Sequence, residues 1–168
     1  MTLSFHATAV PGVLVAAGPA GPDGVEPIVA AAGAPPGLSD RLARAELVRL
    51  VGHGALRGLY RAPGQVVLRC VQGRVWAVAA DLRVQSPAFR RSVGMELGES
   101  GPGLVVPPGC AHGVVALTDQ ATVLRLAAAA DPGPGVCWND PALGIAWPVA
   151  SVIVAPEERG FAPFVVPA

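Results

Sequence analysis

The sequence predicts an all-β sandwich or barrel. Three observations carry that prediction. Strand-length apolar runs, rich in Val, Leu and Trp, recur at roughly 8–12-residue spacing through the second and third quarters of the chain. Turn formers bound each of them, with 21 Gly and 18 Pro in 168 residues. No stretch holds apolar residues at helical period over several turns, so long helices are not expected.

In chain order, residues 12–16 (GVLVA) form a short apolar run closed by Pro11 and Gly18, which suits a strand. Residues 17–38 are rich in Ala, Gly and Pro, with Asp23 and Glu26 as charges, and read as irregular or short β. Residues 39–50 (SDRLARAELVRL) admit two readings: a turn or two of helix capped by Ser39, or an edge strand beginning at Glu46. Strands are expected over 55–60, 66–71 and 74–82, with Gln72-Gly73 turning the last two into a hairpin because Gly tolerates positive φ. Further strands are expected over 92–97, 103–106, 113–117, 122–128 and 150–154.

Composition narrows the chemistry. The net charge is zero, with 12 basic and 12 acidic residues, which argues against a nucleic-acid or membrane partner. All 12 basic residues are Arg, so Schiff-base and phosphate-loop lysine chemistry is excluded. Residues 1–22 are free of charged side chains, but Pro11, Gly12, Gly18 and Pro19 interrupt them, and a soluble protein is expected. Cys70, Cys110 and Cys137 have no CxxC spacing, so neither a zinc ribbon nor a disulfide framework is indicated, and a reducing cytoplasm is the expected setting. The length fits one domain, 1–168.

Three places hold candidate chemistry. In 107–113 (PPGCAHG), Cys110 and His112 are two apart and share a strand face, where His112 suits either a structural hydrogen bond or an acid–base or anion contact. No further ligands accompany them, so no metal site is expected. In 57–60 (RGLY), strict alternation places Arg57 with Leu59 and Gly58 with Tyr60. Arg57 can fork onto a carboxylate or phosphate, and Tyr60 can donate a hydrogen bond but is a poor base at its ordinary pKa, about 10. Asp81 ends the apolar run 75–81, as an alternative base or simply the strand's exit to solvent. Glu157-Glu158-Arg159 reads as a solvated charge run.

Six blocks then occur in a telling order: 55–60 (ALRGLY), 68–73 (LRCVQG), 78–83 (VAADLR), 86–87 (SP), 106–113 (VPPGCAHG) and 138–145 (WNDPALGI). Together they resemble the dTDP-4-dehydrorhamnose 3,5-epimerase family. The resemblance implies a cupin-type double-stranded β-helix, a jelly-roll barrel with short helical turns, that works without metal or other cofactor, usually as a homodimer. It implies divergent N-terminal strands over 1–53, a barrel core over 54–148 and a tail over 149–168. The family's base, the His closing RGLH, falls on Tyr60, and the Lys of KLVRC falls on Val66. The stretch that would carry the catalytic Tyr reads 127–131 (AAAAD), and the Asp that orients the base falls near Glu158.

The implied site therefore has Tyr60, His112, Asp81 and Glu158 as catalytic candidates, with Arg57, Arg69, Val66 and Trp76 toward the ligand. A pocket lined by Val66 and the alanines would be more apolar than the family's. That suggests a repurposed isomerase or cyclase acting on an apolar natural-product intermediate. Two alternatives stand beside it: a dTDP-4-keto-6-deoxyhexose 3,5-epimerase with an unusual catalytic set, and a non-catalytic binding barrel.

Overall fold

The computed structural model describes residues 4–18, 44–129 and 132–166. Eleven strands are present among them: β1 (Ser4–Ala7), β2 (Leu14–Ala17), β3 (Arg44–Val51), β4 (Ala55–Arg61), β5 (Val66–Gln72), β6 (Arg74–Asp81), β7 (Ser92–Gly98), β8 (Gly103–Val106), β9 (Cys110–Ala116), β10 (Gln120–Ala127) and β11 (Ile153–Val154). Two single-turn 3₁₀ helices, η1 (Pro141–Leu143) and η2 (Pro156–Glu158), complete them. The strands form a six-stranded sheet in the order β1-β2-β8-β5-β10-β3 and a five-stranded sheet in the order β11-β4-β9-β6-β7. Every pairing is antiparallel except β11 on β4.

Alternation along each strand builds the core. Leu68 and Cys70 of β5, Leu104 and Val106 of β8, and Val123 of β10 meet Val75, Ala77 and Ala79 of β6 and Val114 of β9. The other face of the five-stranded sheet is also covered. There Leu59, Ala80, Leu82 and Ala111 pack with Val136 and Leu143, backed by Ile145, Trp147 and Phe164 from the chain after β10. Strand β9 is accordingly buried at all seven positions, which explains its unbroken run of small and apolar residues.

The competing readings of residues 39–50 resolve from Arg44 onward into strand; Ser39 lies outside the described residues. β3 pairs with β10 along its whole length, from Arg44↔Ala127 to Val51↔Gln120. That ladder sends Glu46, Val48 and Leu50 inward and leaves Leu47 and Val51 exposed, so period two prevails over the helical spacing of the charges. Strand β9 starts at Cys110, earlier than the expected 113, and the expected 150–154 strand shrinks to Ile153–Val154. Strand β1 is an addition to the expected set.

One irregularity positions the site. The β4–β9 register shifts between Gly58 and Tyr60, around a cis Gly58–Leu59 peptide. Gly58 has φ 114°, and a Cβ there would stand 2.8 Å from the His112 carbonyl oxygen and 2.9 Å from the Gly113 Cα, so only glycine fits. The bulge corrects the strict alternation expected for 57–60. Arg57 and Tyr60 face the barrel together, while Leu59 joins the outer cluster.

Candidate active site

Between the sheets lies a cavity of about 310 Å³, within the range of small-molecule sites, roughly 300–1,000 Å³. β4 contributes Arg57 and Tyr60, β9 His112, β10 Arg125, β3 Glu46, and η2 Glu157 and Glu158. Leu68, Val114 and Val123 supply apolar wall.

Tyr60 and Glu158 form its most specific contact. The phenol donates to Glu158 Oε1 at 2.9 Å, and Glu158 Oε2 accepts the Gly58 N–H at 3.1 Å. Glu158 is 2% exposed, so the expected solvated run is solvated at Glu157 and Arg159 but not here: the turn of η2 drives its last carboxylate into the barrel. The Tyr60 ring is held edge-on by Phe161, with centroids 5.4 Å apart. Burial, then the hydrogen bond and charge of Glu158, push the phenol well above its ordinary value. Burial also raises Glu158, against the hydrogen bonds from Tyr60 and Gly58 that favour its ionised form. The pair is thus a neutral phenol donating to the Glu158 carboxyl group.

A second cluster adjoins the pair, since His112 is the cross-strand partner of Tyr60. Arg125 Nε donates to His112 Nε2 at 3.3 Å, and Arg125 Nη1 donates to Glu46 Oε2 at 2.9 Å. With Nε2 accepting, the imidazole proton sits on Nδ1. Burial, and then the adjacent Arg125 charge, push the His112 pKa down to about 3, so the ring is neutral. We expect no titration of its ring NMR signals between about pH 5 and 8. The linkage has a definite sign: an unfolded His near 6.5 binds a proton that the folded ring refuses. Stability therefore falls as pH drops from 6.5 toward 3. Urea midpoints should show this loss, and His112→Gln should flatten it.

Of the sequence-stated candidates, Tyr60, His112, Glu158 and Arg57 converge on the cavity. Four others do not line it. Asp81 is fully buried, and its oxygens accept from Arg83 Nε at 2.8 Å, Arg83 Nη2 at 2.8 Å and Ser86 Oγ at 2.5 Å. Arg69 lies against Gly103 on the opposite face of β5 from Leu68. Val66 belongs to the apolar core, and Trp76 packs over Gly94 of β7. Ala127 is likewise in the core, and Ala130 lies outside the described residues. Val66 and Ala127 thus do not supply the lining; its apolar wall comes from other residues, such as Leu68, Val114 and Val123, and Glu46, Arg57, Arg125, Glu157 and Glu158 join them. Sequence reasoning missed Arg125 and Glu46. The available signal was a lone charge within 122–128 (TVLRLAA), on the face shared with Val123 and Ala127.

The family profile of dTDP-4-dehydrorhamnose 3,5-epimerase matches residues 31–164. The chain belongs to this family. A dTDP-4-dehydrorhamnose 3,5-epimerase of Sinorhizobium fredii is 37% identical over 119 residues, covering 66% of this chain and 60% of that protein. One from Salmonella typhimurium is 39% identical over 106 residues, covering 58% and 57%. The matched region thus spans about 60% of the length of these curated relatives. The fold is the family's cupin-type jelly roll. The dTDP-4-dehydrorhamnose 3,5-epimerase of Elizabethkingia anophelis superposes with TM-score 0.81 at 22% identity, over 98% of this chain and 97% of the other. A 4-keto-6-deoxy sugar epimerase from the novobiocin biosynthetic gene cluster of Streptomyces spheroides gives 0.78 at 28% identity, over 97% and 88%. Among the described residues, no group of three His, Cys, Asp or Glu side chains could hold a metal ion. No helix there is long and apolar enough to cross a membrane.

Proposed function

We propose that this family member acts on a dTDP-4-keto-6-deoxyhexose and moves the hydrogen on a carbon beside the ketone, using a catalytic set unlike the family's. The observation that carries this reading is the Tyr60–Glu158 pair inside the barrel, at the positions where the family resemblance puts the base and its orienting carboxylate. The charged side chains among the lining residues can hydrogen-bond a polar, oxygen-rich ligand, and the match to the epimerase family supports a sugar nucleotide over an apolar natural-product intermediate.

A phenol pushed upward in pKa is a weak acid and cannot start as a phenolate at neutral pH. The pair acts instead as a relay. As the phenol oxygen takes the proton from carbon, its own proton passes over 2.9 Å to Glu158. The electron pair left on carbon moves onto the ketone oxygen. Solvent then protonates the opposite face and so inverts the carbon, while Tyr60 keeps the proton taken from carbon and Glu158 releases the relayed one to solvent. Arg57 lines the same cavity and suits the diphosphate or a sugar oxygen. The exposed Leu47, Val51 and Val71 suit a second copy of the chain, in keeping with a homodimer.

The test is incubation with dTDP-4-keto-6-deoxyglucose in deuterium oxide, followed by proton NMR. Deuterium entering C3 or C5 in step with enzyme concentration is the expected result. Binding without any uptake would overturn the reading in favour of a non-catalytic barrel.

A further inference from the structure

Arg125 is built for more than an ion pair. It sits on β10, facing the barrel, between Glu46 of β3 and Leu68 of β5, and is only 6% exposed. Its inward neighbours along the strand are Val123 and Ala127. Nε and Nη1 are engaged by His112 and Glu46, but the buried Nη2 has no hydrogen-bond partner among the described residues. The Arg125 side chain lines the cavity. Buried donors are normally paired, because leaving one without an acceptor forfeits its hydration for nothing. An exception on a cavity wall, at Arg125 Nη2, marks the place of a ligand oxygen.

The charge around it says which kind of oxygen. Glu46 pairs with both Arg44 and Arg125, so Arg125 shares this carboxylate with a second cation. A neutral carbonyl oxygen fits this at rest, and an oxygen that gains negative charge fits better. Leu68, the cross-strand partner of Arg125, is two residues along β5 from Val66, where the family resemblance puts a lysine. A positive charge absent from one strand is present on the next, facing the same interior.

We propose that Arg125 is the electrophilic catalytic residue, its Nη2–H binding the substrate's ketone oxygen and holding the enolate that forms there. This rests on the proton-transfer reading above and adds the group that receives the charge. The step balances: the carbon's proton goes to Tyr60, the phenol proton goes to Glu158, and the C–H pair becomes the C=C bond. The carbonyl π pair settles on oxygen, while Arg125 keeps all its protons throughout.

The experiment measures deuterium exchange into dTDP-4-keto-6-deoxyglucose by the wild type, Arg125→Met and Arg125→Lys. The expected result for Arg125→Met is a loss of about 10²–10³-fold, carried by kcat, with partial restoration by added guanidinium. Arg125→Lys, which keeps the charge without the fork, should fall between the two. Folded Arg125→Met working within threefold of wild type would overturn the assignment. If Arg125→Met does not fold, Arg125→Lys decides, and wild-type exchange by that variant overturns it equally. If the wild type itself exchanges nothing, the proton-transfer reading fails, and the assignment is then judged by calorimetry with the keto sugar nucleotide against dTDP-glucose. A wild-type preference for the ketone of tenfold or more, lost in Arg125→Lys, sustains a carbonyl-binding Arg125; equal affinities overturn it.

Discussion

Tyr60→Phe should lower deuterium exchange into the keto sugar nucleotide by about 10²–10⁴-fold, the usual contribution of a positioned acid–base group. The substitution keeps the ring against Phe161 and removes only the hydroxyl that donates to Glu158. Losing that donor beside a buried carboxylate should cost about 1–2 kcal/mol of stability, too little to unfold a typical domain of this size. Glu158→Gln is the partner experiment. Its amide oxygen can still accept from the phenol, but it cannot take the relayed proton, so exchange should fall by a similar factor. Because the two groups act as one unit, the double variant should be little worse than either single one. The acid limb of the wild-type rate profile should lie above 4.5, the ordinary value for Glu158, since burial raises it and the relay needs it ionised. Retention of exchange within threefold by folded Tyr60→Phe would remove Tyr60 from the chemistry.

Arg83→Met should destabilise the fold by about 3 kcal/mol at pH 7, read from urea unfolding. Asp81 is wholly buried, and Arg83 supplies three of its hydrogen bonds: the backbone N–H at 3.0 Å, which remains, and the two guanidinium contacts, which do not. The same guanidinium holds the Pro11 carbonyl at 2.6 Å, tying the β1–β2 turn to the five-stranded sheet. Burial alone would raise the Asp81 pKa, but the bonds from Arg83 and Ser86 outweigh it and leave it below 3.8. Stability from this depressed carboxylate is present above the unfolded value and lost as pH falls through the folded one. In Arg83→Met the sign reverses, because burial then dominates and protonation relieves the penalty. The gap between wild type and variant should therefore narrow on acidification. A loss under 1 kcal/mol at pH 7 would mean that Ser86 and the backbone suffice.

Much of this barrel is legible in the sequence. The strands from β4 to β10 follow from period-two runs cut by glycine and proline, and Gln72-Gly73 marks its hairpin turn, with φ 69° at Gly73. Two features escape that reading for physical reasons. The bulge after Gly58 depends on how β4 meets β9, so the side of the sheet that Tyr60 takes cannot be counted from Arg57. The burial of Glu158 depends on a contact with residues about a hundred positions earlier, and nothing local separates it from Glu157. Arg125 did announce itself as a single charge on an apolar strand face, a pattern whose cost demands a reason. Asp81 and Arg83, two residues apart, could likewise have been read as a self-contained pair.

The Gly58–Glu158 contact also divides labour along the chain. β1 to β10 supply the whole six-stranded sheet and four strands of the five-stranded one, whereas the Glu158 carboxylate comes from η2, after β11. Under the proposed relay, a barrel with this last turn undocked would keep nearly all its strands in place and still lack a destination for the proton.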